Sequence, residues 1–212
     1  MSAITKDAVS DKSGSHVSGL GALCFGAGVL GAASGLFLVV VEPAVPADRF
    51  SYPLTASGFI AIQIWFFVQH LGLAAGSFGT WRSGAFGSST AARSGYVIGV
   101  VGMLLLAVTE LIAIRASGAL YPSEDTAPLD VLYGASSIAV GIGWVIGGIA
   151  AIRAGVWSGW RGLLPLVIGI YVFVPMTPAI AAGFLPARLS ITGWMLLFAV
   201  LGLAIVRKSD RR

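Results

Sequence analysis

Charge is scarce in this sequence. Of its 212 residues only 10% are Asp, Glu, Lys or Arg, whereas a water-facing domain carries about 25%. A chain so poor in charge cannot coat a soluble fold. Cysteine is nearly absent as well, and the single Cys24 excludes an internal disulfide and any cysteine-based metal site. Histidine is limited to His16 and His70. His16 lies in a polar N-terminal segment, so paired imidazole ligation of a haem has no candidate within the apolar part of the chain. No metal and no cofactor is expected.

What the chain has instead is apolar length. Its composition is 57% hydrophobic with 29 glycines, and its mean hydropathy is +0.90. Six apolar runs stand out, at 19–41, 57–79, 96–114, 131–152, 162–184 and 189–206. Each is long enough to cross about 30 Å of hydrocarbon as a helix. A barrel would instead show segments of about 10 residues with alternating polarity. The expected fold is therefore all-α, a polytopic bundle of six transmembrane helices. Residues 1–18 read as a disordered N-terminal tail, 19–206 as the membrane domain and 207–212 as a basic C-terminal tail. The first run is of full spanning length, so it is expected to be a retained helix and not a cleaved leader.

Basic residues set the expected orientation. Ten of the 13 Lys and Arg fall in the two tails and in the connections that share their side of the bundle, including Arg82, Arg93, Arg153 and Arg161. The opposite side has only Arg49, Arg115 and Arg188. Acids go the other way, with Glu42, Asp48, Glu124, Asp125 and Asp130 on that opposite side. Trp81, Trp157 and Trp160 mark one interface, and Tyr52, Tyr121 and Phe184 the other. Both termini are expected in the cytoplasm. A preference for Arg over Lys amid Ala, Gly and Val suggests a bacterial chain, hence the bacterial cytoplasmic (inner) membrane.

A few polar residues interrupt the apolar runs. Glu110 lies deep in the third, where a carboxylate costs several kcal/mol unless it is paired, hydrated or protonated. Gln63, His70 and Ser77 lie seven residues apart along the second run, which places them on one helical stripe. By a rise of about 1.5 Å per residue, Gln63 and Glu110 come to similar depths, and His70 lies about 10 Å deeper. In the fifth run Pro175 and Pro178 remove two backbone donors and break the helix beside Tyr171 and Thr177. Tyr133 and Ser136 enter the fourth run at a comparable level. The expected site is an outward-facing polar cavity lined by Gln63, Glu110, Tyr133, Ser136 and Thr177, with Glu110 and His70 as a proton relay.

Several motifs are excluded by context. Gly26-Ala-Gly28-Val-Leu-Gly31 has the spacing of a dinucleotide fingerprint but no strand before it, and reads as helix packing. Gly134-Ala-Ser136-Ser137 has no second glycine, and no histidine follows it to act as base, so nucleophilic catalysis has no basis. Gly31/Gly35, Gly72/Gly76, Gly95/Gly99 and Gly143/Gly147 fit the pattern of small residues four apart at helix contacts. The basic loops suit anionic lipid headgroups, and nucleic-acid binding is not needed to explain them.

In size, six-span layout, cytoplasmic ends and outward-facing cavity, the chain resembles the substrate-binding subunits of energy-coupling-factor vitamin transporters. That layout implies a small permease or solute-binding membrane subunit. The alternative is a non-catalytic scaffold or regulatory subunit that meets the bilayer and a membrane partner, or a second copy, through glycine-rich helix faces. An intramembrane lipid-modifying enzyme using Glu110 and His70 is disfavoured by their separation in depth.

Overall fold

The computed structural model describes residues 3–209, with side chains over 15–207. All its regular elements are helical: α1 (Ala3–Val40), α2 (Ala56–Arg82), α3 (Thr90–Ala113), α4 (Ala127–Ala154), α5 (Trp160–Tyr171), α6 (Thr177–Ala181) and α7 (Phe184–Ser209). A π turn over Val172–Met176 joins α5 to α6. Six segments are long and apolar enough to cross a membrane: Ser15–Val40, Ala56–Arg82, Thr90–Ala116, Ala127–Ala154, Trp160–Ala181 and Phe184–Arg207. Each overlaps one of the apolar runs. Large apolar side chains such as Leu23, Val40, Val131 and Val174 stand more than half exposed around the bundle. An apolar belt of that kind calls for lipid around it.

α1 is described from Ala3, ahead of the first membrane-spanning segment at Ser15. At the other end α7 runs through Arg207 to Ser209, and Arg211 and Arg212 of the basic tail lie outside the described residues.

Helix ends follow local chemistry. The Thr55 hydroxyl accepts from the Gly58 N–H at 3.3 Å, and the Ser89 hydroxyl from the Ala92 N–H at 3.1 Å, each satisfying one orphan donor of a first turn. α4 carries a proline in its first turn and stops at Gly155, whose φ of 61° is open to glycine at little cost.

The crossings follow one another around a ring: α1 packs on α2, α2 on α3, α3 on α4, α4 on α5, and α7 closes the circle against α1 and α5. Glycine sets the spacing. A Cβ on Gly95 would lie 2.5 Å from the backbone nitrogen of Gly147, and one on Gly102 would lie 2.6 Å from that of Val140. On the far side of the ring, a Cβ on Gly28 would lie 2.5 Å from the Ala199 nitrogen, and Gly21 and Gly202 face each other. The small-residue pairs read from the sequence therefore point inward and are consumed within the bundle. The interior is filled by Leu73, Met103 and Met195 and by edge-to-face contacts running from Phe86 through Trp144 and Phe198 to Trp194.

Gly143 touches the backbone of Gly99 and Gly95, whereas Gly134, on the same helix, faces open space. Gly143→Ala should therefore cost about 2 kcal/mol through overpacking. Gly134→Ala should be neutral or gain up to about 1 kcal/mol in helix propensity. Thermal unfolding of the two purified variants in one detergent checks the contrast; equal midpoints would mean that the α3–α4 contact is not tight.

Candidate functional site

Four crossings converge on Glu110. Its carboxylate oxygen Oε2 accepts from the Tyr133 hydroxyl at 2.7 Å and from the Gln63 amide at 2.9 Å. Gln63 Nε2 also donates to the Tyr133 oxygen at 3.0 Å, so the three side chains form a closed triangle. The other carboxylate oxygen, Oε1, faces His70 Nδ1 at 3.7 Å. That ring nitrogen lies 2.8 Å from the carbonyl of Phe66. A carbonyl only accepts, so Nδ1 carries the hydrogen and the contact with Oε1 is electrostatic. Arg188 of α7 adds a longer-range positive charge near Glu110 and Tyr133, without an ion pair within 4 Å. Glu110, Gln63 and His70 are each at most 6% exposed. Burying a charged carboxylate is tolerable only with partners of this kind.

The Gln63–Glu110 contact matches the depth argument from the sequence. The placement of His70 does not, because the two groups meet instead of lying about 10 Å apart. Rise per residue locates backbones, while side chains on a helix lean toward its N-terminus. α2 and α3 run in opposite directions, so His70 leans up toward Glu110 and Glu110 leans down toward His70. The leaning closes most of the gap.

Two expected lining residues lie elsewhere. Ser136 is buried one turn along α4 from Tyr133, and it is not among the groups bonded to Glu110. Thr177 faces outward, and its hydroxyl donates to the Val172 carbonyl of its own helix at 2.7 Å. The backbone N–H of Thr177 serves the same carbonyl. The helix break foreseen around Pro175 and Pro178 is real, but it satisfies itself locally and sends no polar group into the cluster.

Arg188 is the residue that sequence reasoning missed. The sequence places it in a connection, yet it lies in the first turns of α7, over the Phe184 ring at 5.4 Å. Phe184 in turn meets Tyr52 edge to face at 4.9 Å. Tyr52 belongs to the 41–55 connection, which pairs with the 114–126 connection. The Phe50 N–H donates to Ala119 at 3.0 Å, the Tyr121 N–H to Asp48 at 2.7 Å, and the Arg49 guanidinium to Gly118 at 3.0 Å. Phe50 packs on Phe59, one turn of α2 above Gln63. The two connections thus make a stapled aromatic cap over the end of the bundle that holds Glu110.

A small cavity of about 10 Å³ touches Ser77, Tyr96 and Trp144, and a groove of about 500 Å³ lies along α1 and α2 at the end carrying the termini; Glu110 lines neither. Among the described residues no group of His, Cys, Asp and Glu could hold a metal ion. No family model, no curated protein and no solved structure matches the chain, so the layout resemblance carries no further weight.

Gln63 and Tyr133 bind the same carboxylate oxygen and each other. Gln63→Leu and Tyr133→Phe should each destabilise by about 1.5 to 3 kcal/mol if the carboxylate is charged. The double variant should fall short of their sum by at least about 0.5 kcal/mol. A double-mutant cycle read by thermal unfolding measures this; strict additivity would dissolve the triangle.

Proposed function

We propose that this integral membrane protein is a small permease or solute-binding membrane subunit working through the Glu110 cluster. The observation that carries the reading is the convergence of α2, α4 and α7 on one buried carboxylate of α3. Tying two helices together takes a single donor; here three groups and a guanidinium charge attend Glu110. Oε2 is held by Gln63 and Tyr133, which fixes the carboxylate. Oε1 faces His70, and through it Glu110 exchanges a proton or a cationic group, with His70 as the relay. The chain resides in a bacterial cytoplasmic membrane with both termini in the cytoplasm, a placement supported by the excess of Lys and Arg on the terminal side.

One observation favours a second reading. Glu110 is only 6% exposed and sealed by hydrogen bonds, as a non-catalytic scaffold or regulatory subunit would have it. Partner contacts in that case run through apolar side chains, because the glycine faces are used inside the ring. The enzyme reading gains nothing from the His70–Glu110 contact, since both groups are buried away from either cavity.

Solute-dependent thermal stability separates the readings. A broad panel of small solutes is screened against the purified wild type and Glu110→Gln. The permease reading expects at least one solute to raise the wild-type midpoint by several degrees and to leave the variant unmoved. Identical behaviour of the two proteins across the panel would give the cluster a structural role and leave the scaffold reading in place.

A further inference from the structure

The groove at the terminal end of α1 and α2 belongs to none of this. It has a volume of about 500 Å³, and its walls include His16, Leu20 and Leu23 of α1 with Phe78 and Arg82 of α2. The polar and apolar members are sorted by height. Arg82 is the last residue of the second crossing, and His16 lies at the first turn of the first crossing. Leu20, Leu23 and Phe78 lie one to two turns further into the bilayer span. The Arg82 guanidinium is placed over the Phe78 ring at 5.9 Å, at the junction of the two zones. Between them Gly19 leaves open space, with no atom within 4 Å of where a Cβ would be.

Within residues 15–207 the charge around the groove has one sign. Between residues 15 and 207, Arg82, Arg93, Arg153, Arg161 and Arg207 lie at the terminal end. Over the same residues every Asp and Glu outside the Glu110 cluster (Glu42, Asp48, Glu124, Asp125 and Asp130) lies at or beside the opposite connections. Among the side chains of residues 15–207, Arg82 has no ion-pair partner within 4 Å, since the one such pair is His70 with Glu110.

We propose that this groove is a binding site for an anionic phospholipid of the surrounding bilayer. The phosphate sits against Arg82 and His16, and an acyl chain lies over Gly19 along Leu20, Leu23 and Phe78. A guanidinium presents several N–H donors in a fork that suits phosphate oxygens. The apolar floor takes a chain that a soluble phosphate does not have. An arginine beside an aromatic ring at the end of a span also places the charge at headgroup height.

Native mass spectrometry of the full chain in detergent tests this with added dioleoylphosphatidylglycerol and dioleoylphosphatidylcholine. The expected result is retention of one phosphatidylglycerol in preference to phosphatidylcholine. Arg82→Ala should weaken that retention about fivefold, the worth of one basic residue at an anionic surface. Arg153→Ala, at the same membrane level but outside the groove, should leave it unchanged. Gly19→Leu adds bulk at a groove position where a Cβ meets no atom within 4 Å and should also expel the lipid, which keeps the test decisive if Arg82→Ala folds poorly. Equal losses in Arg82→Ala and Arg153→Ala would overturn the site in favour of diffuse attraction by the whole basic face. Absence of a preference for the anionic lipid, or full displacement by glycerophosphoglycerol without chains, would overturn it as well.

Discussion

Backbone-to-backbone approach at glycine is the constraint on which the rest of this molecule depends. Between α3 and α4 the contacts run from Gly95 against Gly147, through Gly99 against Gly143, to Gly102 against Val140. Such contacts fix register as well as distance, because a side chain on either helix would slide one past the other. Two turns beyond Gly102 comes Glu110, and two turns beyond Val140, in the opposite chain direction, comes Tyr133. The 2.7 Å hydrogen bond between them continues the same register. The polar cluster is built at the end of a zipper of small residues, and its geometry is inherited from that zipper.

Much of the fold was legible because the membrane imposes so coarse a rule. Each crossing needs about twenty apolar residues whose backbone is satisfied internally, and the six runs in the sequence meet that rule without competition from strands. The Gln63–Glu110 pair was legible for a related reason, since antiparallel neighbours with known rise can be matched in depth by counting. Counting failed for His70 because it tracks backbone atoms and ignores the lean of side chains toward helix N-termini.

Thr177 was misplaced and Arg188 went unread for a different reason. Both lie where a helix is interrupted or begins, and there the face a side chain presents depends on turn geometry that periodicity does not report. A guanidinium two residues after Pro186, in a stretch that follows Ala181-Ala182-Gly183, looks like a loop charge. The signal that could have placed it was the aromatic residue four positions earlier: Phe184 and Arg188 share a face once the seventh helix starts at Phe184.

The π turn in the fifth crossing has a consequence for the wall of the ring. One extra residue in a turn rotates everything beyond it by about 100°. Before the turn α5 leans mainly on α4; after it α6 leans on α7 and makes no contact with α4. The crossing thus changes neighbours partway through the bilayer. At that level the ring is unlatched on one side, between the helix that carries Tyr133 and the short helix that ends in Ala181. The seams between α3 and α4 and between α1 and α7 are, by contrast, lined by close glycine contacts. At the level of α6 the fifth crossing is therefore held to the bundle by α7 and not by α4.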